Sequence, residues 1–167
     1  MSLGAEEPRG GASIPGIHDW PTYRGNPARS GATTSPVTEN LETDWTLELG
    51  GKLSPPVVAG GKVFVSAVDQ HSVVAIDQTS GQKAWAHVVG GRVDSPPTIW
   101  QGCCLFGSAD GYVYCLRASD GCLAWRFHAA PVEARLTAFG QLESPWPVLG
   151  SVLVQDGIAY ASAGRSS

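Results

Sequence analysis

The sequence predicts an all-β fold, a partial β-propeller built from four-stranded blades. Three observations carry that expectation. Trp45, Trp85 and Trp125 recur at a constant 40-residue spacing. Glycines keep the same register, so that Gly81-Gln82-Lys83-Ala84-Trp85 lies over Gly121-Cys122-Leu123-Ala124-Trp125. The apolar runs between turns superpose as well: Ser72–Ile76 lies over Tyr112–Leu116, and Ser54-Pro55-Pro56 recurs as Ser95-Pro96-Pro97, with a third version in Ser144-Pro145-Trp146. Repetition at about 40 residues, with short strands and Gly turns inside each copy, is the sequence signature of propeller blades.

Composition agrees. Charged residues make up 16% of the 167 and Gly numbers 21, a balance that suits turn-dense sheet better than helix. The net charge of -4 supplies no basic footprint for phosphate backbones, so nucleic acid is excluded as a partner. No apolar run reaches the roughly 18 residues that span a bilayer, so no membrane span is expected. Met1-Ser2-Leu3 has neither the basic start nor the apolar core of a signal peptide. Residues 1–17 therefore read as an expression leader and flexible lead-in, and residues 18–167 as the propeller fragment.

In chain order, His18 to Gly31 mixes aromatic, Pro and Gly residues without periodicity and reads as a loop. Trp20 and Tyr23 are large to leave wet, so the loop is expected to dock on the folded body. Thr43–Leu49 reads as a first strand with Trp45, Leu47 and Leu49 on one face. The first full copy, about 45–85, follows as strands Pro56–Ala59, Lys62–Ser66, Val73–Asp77 and Lys83–Val89. Gly60-Gly61 closes its first hairpin and Gly81 its last turn, both places that favour positive φ. The second copy, about 85–125, repeats the plan as Pro97–Trp100, Cys103–Ser108, Tyr112–Arg117 and Leu123–His128. The third, 125–167, is incomplete: a polar insertion at 129–143 precedes strands at Val148–Val154 and Ile158–Ser162. About three blades do not close a ring, which needs about four. Open blade faces and strand edges favour association, so self-association or the remainder of a longer propeller is expected to cover them.

Ala75-Ile76-Asp77-Gln78-Thr79-Ser80-Gly81-Gln82-Lys83-Ala84-Trp85 resembles the pyrroloquinoline quinone (PQQ)-type propeller repeat, Ala-x-Asp-x-x-Thr-Gly-x-x-x-Trp, with Ser80 in place of Thr. The second copy keeps Gly121 and Trp125 but has Cys115, Arg117 and Asp120 where the pattern has Ala, Asp and Thr. Phe106–Tyr114 is similar to the repeat's second-to-third strand hairpin, and Asp19–Gly25 to the opening of many bacterial proteins of this family. The resemblance implies that Trp45, Trp85 and Trp125 dock neighbouring blades, with Gly81 and Gly121 in the supporting turns. It also implies an exported, periplasmic bacterial protein. The family includes scaffolds, an outer-membrane assembly lipoprotein among them, and quinoprotein dehydrogenases that use PQQ with Ca²⁺.

No catalytic set emerges. Ca²⁺ wants six to eight oxygen ligands, and no matching Asp, Glu and Asn set is present. There is no phosphate-cradling Gly loop and no nucleophile elbow. His18, His71, His87 and His128 lack metal-ligand spacing, so no metal is expected, and His71 reads as a solvated turn residue. Asp69, Asp77 and Asp110 read as caps of their own turns. Cys103-Cys104 is a candidate redox pair of the kind the dehydrogenases carry. Adjacent strand residues point to opposite faces, however, so a vicinal disulfide would break the ladder, and two half-buried thiols are the plainer reading. Cys115 and Cys122 lie on neighbouring strands, where a disulfide is an open alternative. Insertions at one end of a propeller often bind, which makes Arg135, Gln141, Glu143 and Trp146 the candidate binding face. The leading expectation is a non-catalytic binding or scaffold module without a cofactor, holding a protein partner or small ligand on its blade ends. The alternative is a fragment of a PQQ-dependent dehydrogenase oxidising alcohols or sugars, with its catalytic residues outside this chain.

Overall fold

The computed structural model describes residues 19–36 and 39–165, so the expected leader at 1–17 lies outside the described residues. Two four-stranded antiparallel sheets form the body. The first has the order β1-β2-β3-β4, with β1 Val57–Ala59, β2 Lys62–Ala67, β3 Ser72–Asp77 and β4 Lys83–Val88. The second repeats it as β5 Thr98–Trp100, β6 Cys103–Gly107, β7 Tyr112–Arg117 and β8 Leu123–His128. Two hairpins follow: β9 Leu136–Ala138 with β10 Gln141–Glu143, and β11 Leu153–Gln155 with β12 Ile158–Tyr160. The chain is all-β, a partial propeller.

The two sheets share an irregularity that the repeat encodes. Ala75 faces Trp85 and Ile76 faces Lys83, so Ala84 is the extra residue of a bulge. Cys115 faces Trp125 and Leu116 faces Leu123, which leaves Ala124 in the same role. A bulge re-aims the next side chain. Here it turns each Trp onto the sheet face that looks toward the following copy.

Three apolar layers result. Trp45, Leu47 and Leu49 pack against Val74 and Ile76 on one face of the first sheet. Val57, Phe64, Val73, Ala75 and Trp85 on its other face meet Cys104, Phe106, Tyr114 and Leu116 of the second sheet. Leu105, Val113 and Cys115, on the far face of the second sheet, meet Val148, Val152 and Val154. This face-to-face stacking of successive sheets is how a propeller buries apolar area.

The expected strand at Thr43–Leu49 is not one. Its side chains alternate as expected, Trp45, Leu47 and Leu49 being half-buried and the residues between them exposed, but its backbone joins no ladder. No strand among the described residues lies beside it, and side-chain bonds hold it instead: Trp45 Nε1 donates to Gln78 O (2.9 Å) and Gln70 Nε2 to Leu49 O (2.6 Å). The insertion at 129–143 is not a plain loop either. Phe139 (φ 52°) and Gly140 (φ 73°) are both left-handed, the backbone of a tight two-residue hairpin turn. The expected strand Val148–Val154 shrinks to Leu153–Gln155, because Val148 N donates to Ser108 O (3.0 Å) of the neighbouring copy. Ser54 and Ser95 sit three residues before β1 and β5, whereas Ser144 stands nine before β11, so the third Ser-Pro is not structurally equivalent.

The loop at 19–31 docks, through its backbone and through buried Thr22, whose hydroxyl lies 2.9 Å from that of Thr98. Trp20 and Val58 exchange both main-chain hydrogen bonds (2.7 and 2.9 Å), and Ile99 N donates to Pro21 O (2.7 Å). Trp20 is half-buried, whereas Tyr23 stays exposed with the Arg29 guanidinium 5.8 Å from its ring centre.

Candidate functional site

One end of the stack gathers the connections that lead into each inner strand, together with the turns between second and third strands. Carboxylates lace it together. Asp110 is buried and accepts from Tyr112 N (3.2 Å) in its own turn, as expected of a cap. It also accepts from Gly90 N (3.1 Å) in the preceding connection and from the Tyr114 hydroxyl (2.6 Å). Burial and the neighbouring Asp110 push the Tyr114 phenol well above its ordinary range. Asp69 does the same for the first copy by accepting from Lys52 N (2.9 Å). At the opposite end Asp77 stays within its turn, and its bonds from Ser80 hold its carboxyl below the ordinary value. Asp120, bonded by Arg117 and Cys122 N, is lowered to about 2.

The β9–β10 hairpin crosses this loop end, and the structure divides the four residues expected to form one binding face. Arg135 is exposed. Gln141 and Trp146 are half-buried, and Gln141 Oε1 takes the Nε2 of His71 (2.8 Å). His71 is therefore not a solvated turn residue: its left-handed backbone (φ 53°) points the ring at the hairpin. Glu143 is fully buried between two guanidinium groups, Arg92 at 2.8 Å and Arg165. Its partners explain why a carboxylate can sit there at all, since an unpaired buried charge is too costly to keep. Arg92 also lies 3.6 Å from Asp94, and its guanidinium covers the Phe139 ring at 4.7 Å. The Arg92–Glu143 contact is an ion pair outside hydrogen-bonding geometry, so Glu143 Oε1 gains charge compensation but no hydrogen bond.

The large side chains the hairpin presents are apolar. Phe139 is 76% exposed and Leu142 65%, Leu142 standing opposite exposed Thr137, and Val132 is exposed in the segment before the hairpin. None of the three was among the expected binding residues. Their signal was present as large apolar side chains in a polar insertion, but a sequence cannot say which of them its own hairpin covers.

The paired tryptophans lie elsewhere, between copies. Trp85 is buried over Gly121, whose φ is +74°, and its Nε1 donates to Ala118 O (3.0 Å). Trp45 lies over Gly81, φ +68°, and its Nε1 donates to Gln78 O. Trp125 is 42% exposed. A concavity of about 610 Å³ opens at the opposite end, lined by Pro21, Lys62, Phe64, Ile99, Trp100 and Arg117 among others.

All four cysteines are free thiols. Cys103 and Cys104 sit on opposite faces of β6: Cys104 is buried in the layer between the two sheets, and Cys103 packs against the layer beyond the second. The thiol interacting with Cys115 is Cys103 rather than Cys122. Burial raises the Cys104 and Cys115 thiols far above their ordinary range. Only the thiolate reacts readily, so a maleimide at neutral pH will modify exposed Cys122 fastest, and Cys104 and Cys115 only after denaturation. Mass spectrometry of a timed labelling series checks this.

Among the described residues no group of three or more His, Cys, Asp and Glu side chains could hold a metal ion, and no helix is long and apolar enough to cross a membrane.

The sequence profile of the family described as Outer membrane protein assembly factor BamB matches residues 38–165. The Outer membrane protein assembly factor BamB of Moranella endobia (strain PCIT) is 28% identical over 112 residues, covering 67% of this chain and 28% of that protein. The protein of the same name from Yersinia pestis is 33% identical over 73 residues, covering 44% and 19%. Among solved structures, the quinohemoprotein alcohol dehydrogenase from Comamonas testosteroni superposes with a TM-score of 0.70 at 23% identity, over 87% of this chain and 23% of that one. BamB from Moraxella catarrhalis superposes with a TM-score of 0.54 at 24% identity, over 72% and 33%. These structural likenesses show the fold. The chain spans under a third of the length of the curated relatives it matches.

Proposed function

This chain belongs to the family described as Outer membrane protein assembly factor BamB, and from that premise we propose that it is a non-catalytic, protein-binding part of an exported propeller working in the periplasm. The observation that carries this reading is the β9–β10 hairpin. Two of its polar side chains are used inward, Gln141 on His71 and Glu143 on Arg92 and Arg165, while Phe139 and Leu142 stand exposed on it and Val132 and Arg135 are exposed in the segment that leads into it. Exposed apolar side chains clustered on a rigid support, with a basic residue at the rim, are the composition of a protein-binding patch. The buried ion pairs hold the hairpin in one position, so little ordering is required when a partner docks. The partner class is a protein of the outer-membrane assembly machinery, the role that the relatives' name states.

A photo-crosslinking amino acid placed at Phe139 or Leu142 in bacteria should yield adducts with an outer-membrane assembly protein. The same group at Lys83, exposed on β4, should yield none. Equal adducts from all three positions would overturn the assignment. Turnover of an alcohol or aldose with added PQQ, Ca²⁺ and an artificial electron acceptor would replace it with the dehydrogenase reading.

A further inference from the structure

Strands β6 and β7 bring two of the four free thiols onto one side of the second sheet. Leu105 faces Cys115 across the ladder and Cys103 faces Arg117, so Cys103 and Cys115 are diagonal neighbours. Residues two apart on a strand share a face, and both thiols lie in the layer where the second sheet meets Val148, Val152 and Val154. The twist of paired strands shortens one diagonal of each cross-strand square. Across this one the two thiols interact directly. The other cysteines are held apart from them. Cys104 points through the sheet into the layer with Phe64 and Trp85, and Cys122 leads into β8, which β7 separates from β6. The pair also differs in access, Cys115 being fully buried and Cys103 half-buried. Cys103 opens β6 directly after the left-handed residues Gln101 and Gly102, and a strand end can shift toward its neighbour with less loss of pairing than a strand middle.

We propose that Cys103 and Cys115 form a dithiol that closes to a disulfide between β6 and β7, with the disulfide of a thiol–disulfide exchange partner as the oxidant. The Cys103 thiolate attacks one sulfur of that disulfide, whose bond breaks and whose other sulfur leaves as a thiolate. Cys115 then gives up its proton and attacks the Cys103 sulfur, which forms the new bond and releases the second sulfur of the partner. The two protein thiols together lose two electrons and two protons, and the partner disulfide becomes two thiols. The half-buried thiol is the point of entry and the buried one resolves. Burial raises the Cys115 thiol far above its ordinary range, so resolution is the slower step. The bridge encloses the β6–β7 turn, where Asp110 accepts from Gly90 N and from the Tyr114 hydroxyl, and so fastens the strands on either side of that junction. Such bonds persist in oxidising, exported compartments. The proposal rests on the exported reading for the natural oxidant alone and not for the bond itself.

The probe is oxidised glutathione, added to the intact, reduced chain carrying Cys122→Ser so that no exposed thiol competes. Mass spectrometry should show the loss of two hydrogens, reversed by dithiothreitol, with no glutathione retained. Chymotrypsin cuts after Phe106 and Tyr114, and before reduction the fragments that hold Cys103 and Cys115 should travel as one. Adding Cys104→Ser should leave the bridge intact, whereas adding Cys103→Ser should abolish it. Closure should also lower the unfolding equilibrium constant in urea by about tenfold or more. A bridge that survives Cys103→Ser, a bridge that Cys104→Ser abolishes, a glutathione adduct that never resolves, an unfolding constant that closure does not lower, or an unchanged mass would each overturn the proposal. None of these results bears on the crosslinks expected from Phe139 and Leu142.

Discussion

Gly121→Ala will destabilise the chain by about 3 kcal/mol, a large part of the 5–15 kcal/mol that holds a domain together. Two costs add. The left-handed backbone at φ +74° costs a residue with a Cβ about 1–2 kcal/mol. The methyl group would sit 2.6 Å from Cδ2 of Trp85, and overpacking of that kind costs about 1–3 kcal/mol more. Trp85 has no room to retreat, being buried in the layer with Phe64, tilted against it at 5.8 Å, and held by its bond to Ala118 O. Urea unfolding followed by fluorescence measures the loss. Gly102→Ala is the control: its φ is +77°, but nothing lies within 4 Å of the Cβ it would gain, so only the backbone cost should appear. Equal losses at the two positions would show that the Trp contact contributes nothing.

Glu143→Ala will cost about 3 kcal/mol by a different route. Removing one partner of a buried ion pair typically costs about 3–5 kcal/mol, because the remaining charge stays in place without compensation. Here two guanidiniums are left, Arg92 at 15% side-chain exposure and Arg165 at 31%. That partial exposure keeps the expected loss at the lower end. Glu143→Gln should fall between, since it keeps the shape and loses the charge. Because Glu143 pairs the β9–β10 hairpin with the Arg92 connection, hydrogen exchange in residues 136–143 should speed up more than in β6 or β7. Uniform acceleration across the chain would mean that the ion pairs support the whole fold rather than the hairpin.

The two residues differ in how far the sequence alone reaches. Gly121 could be picked out beforehand because local geometry repeats: a Gly four residues before Trp85 and again before Trp125, a turn before each of these glycines, strands of similar length between. Periodicity of 40 residues is a property of one blade, and one blade is made by contacts between residues near in sequence, so the order of β1 to β8 was legible. The same holds for Asp77, whose partners lie two and three residues away.

Glu143 could not be picked out in this way. As a charged residue in an irregular insertion it read as a surface group, yet its partners Arg92 and Arg165 lie 51 and 22 residues away and meet only when three connections converge at one end of the stack. The contact between His71 and Gln141 was hidden for the same reason, the two being 70 residues apart. The segment Thr43–Leu49 shows the limit from the other direction. Its alternation correctly placed Trp45, Leu47 and Leu49 on one face, because burial follows side-chain period. Whether it forms a strand depends on a neighbour to hydrogen-bond with, and alternation carries no information about that neighbour.

The sequence by itself determined the all-β class, the four-stranded unit, the glycine turns and the Trp that recurs on each outer strand, since these depend on backbone sterics and local pattern. Tertiary structure alone decided which polar groups of the insertion are used inward, which apolar ones stay exposed, and how deeply each of the three tryptophans is buried among the described residues. Burial is set by whatever packs alongside, and that is a property of the stack rather than of any one repeat.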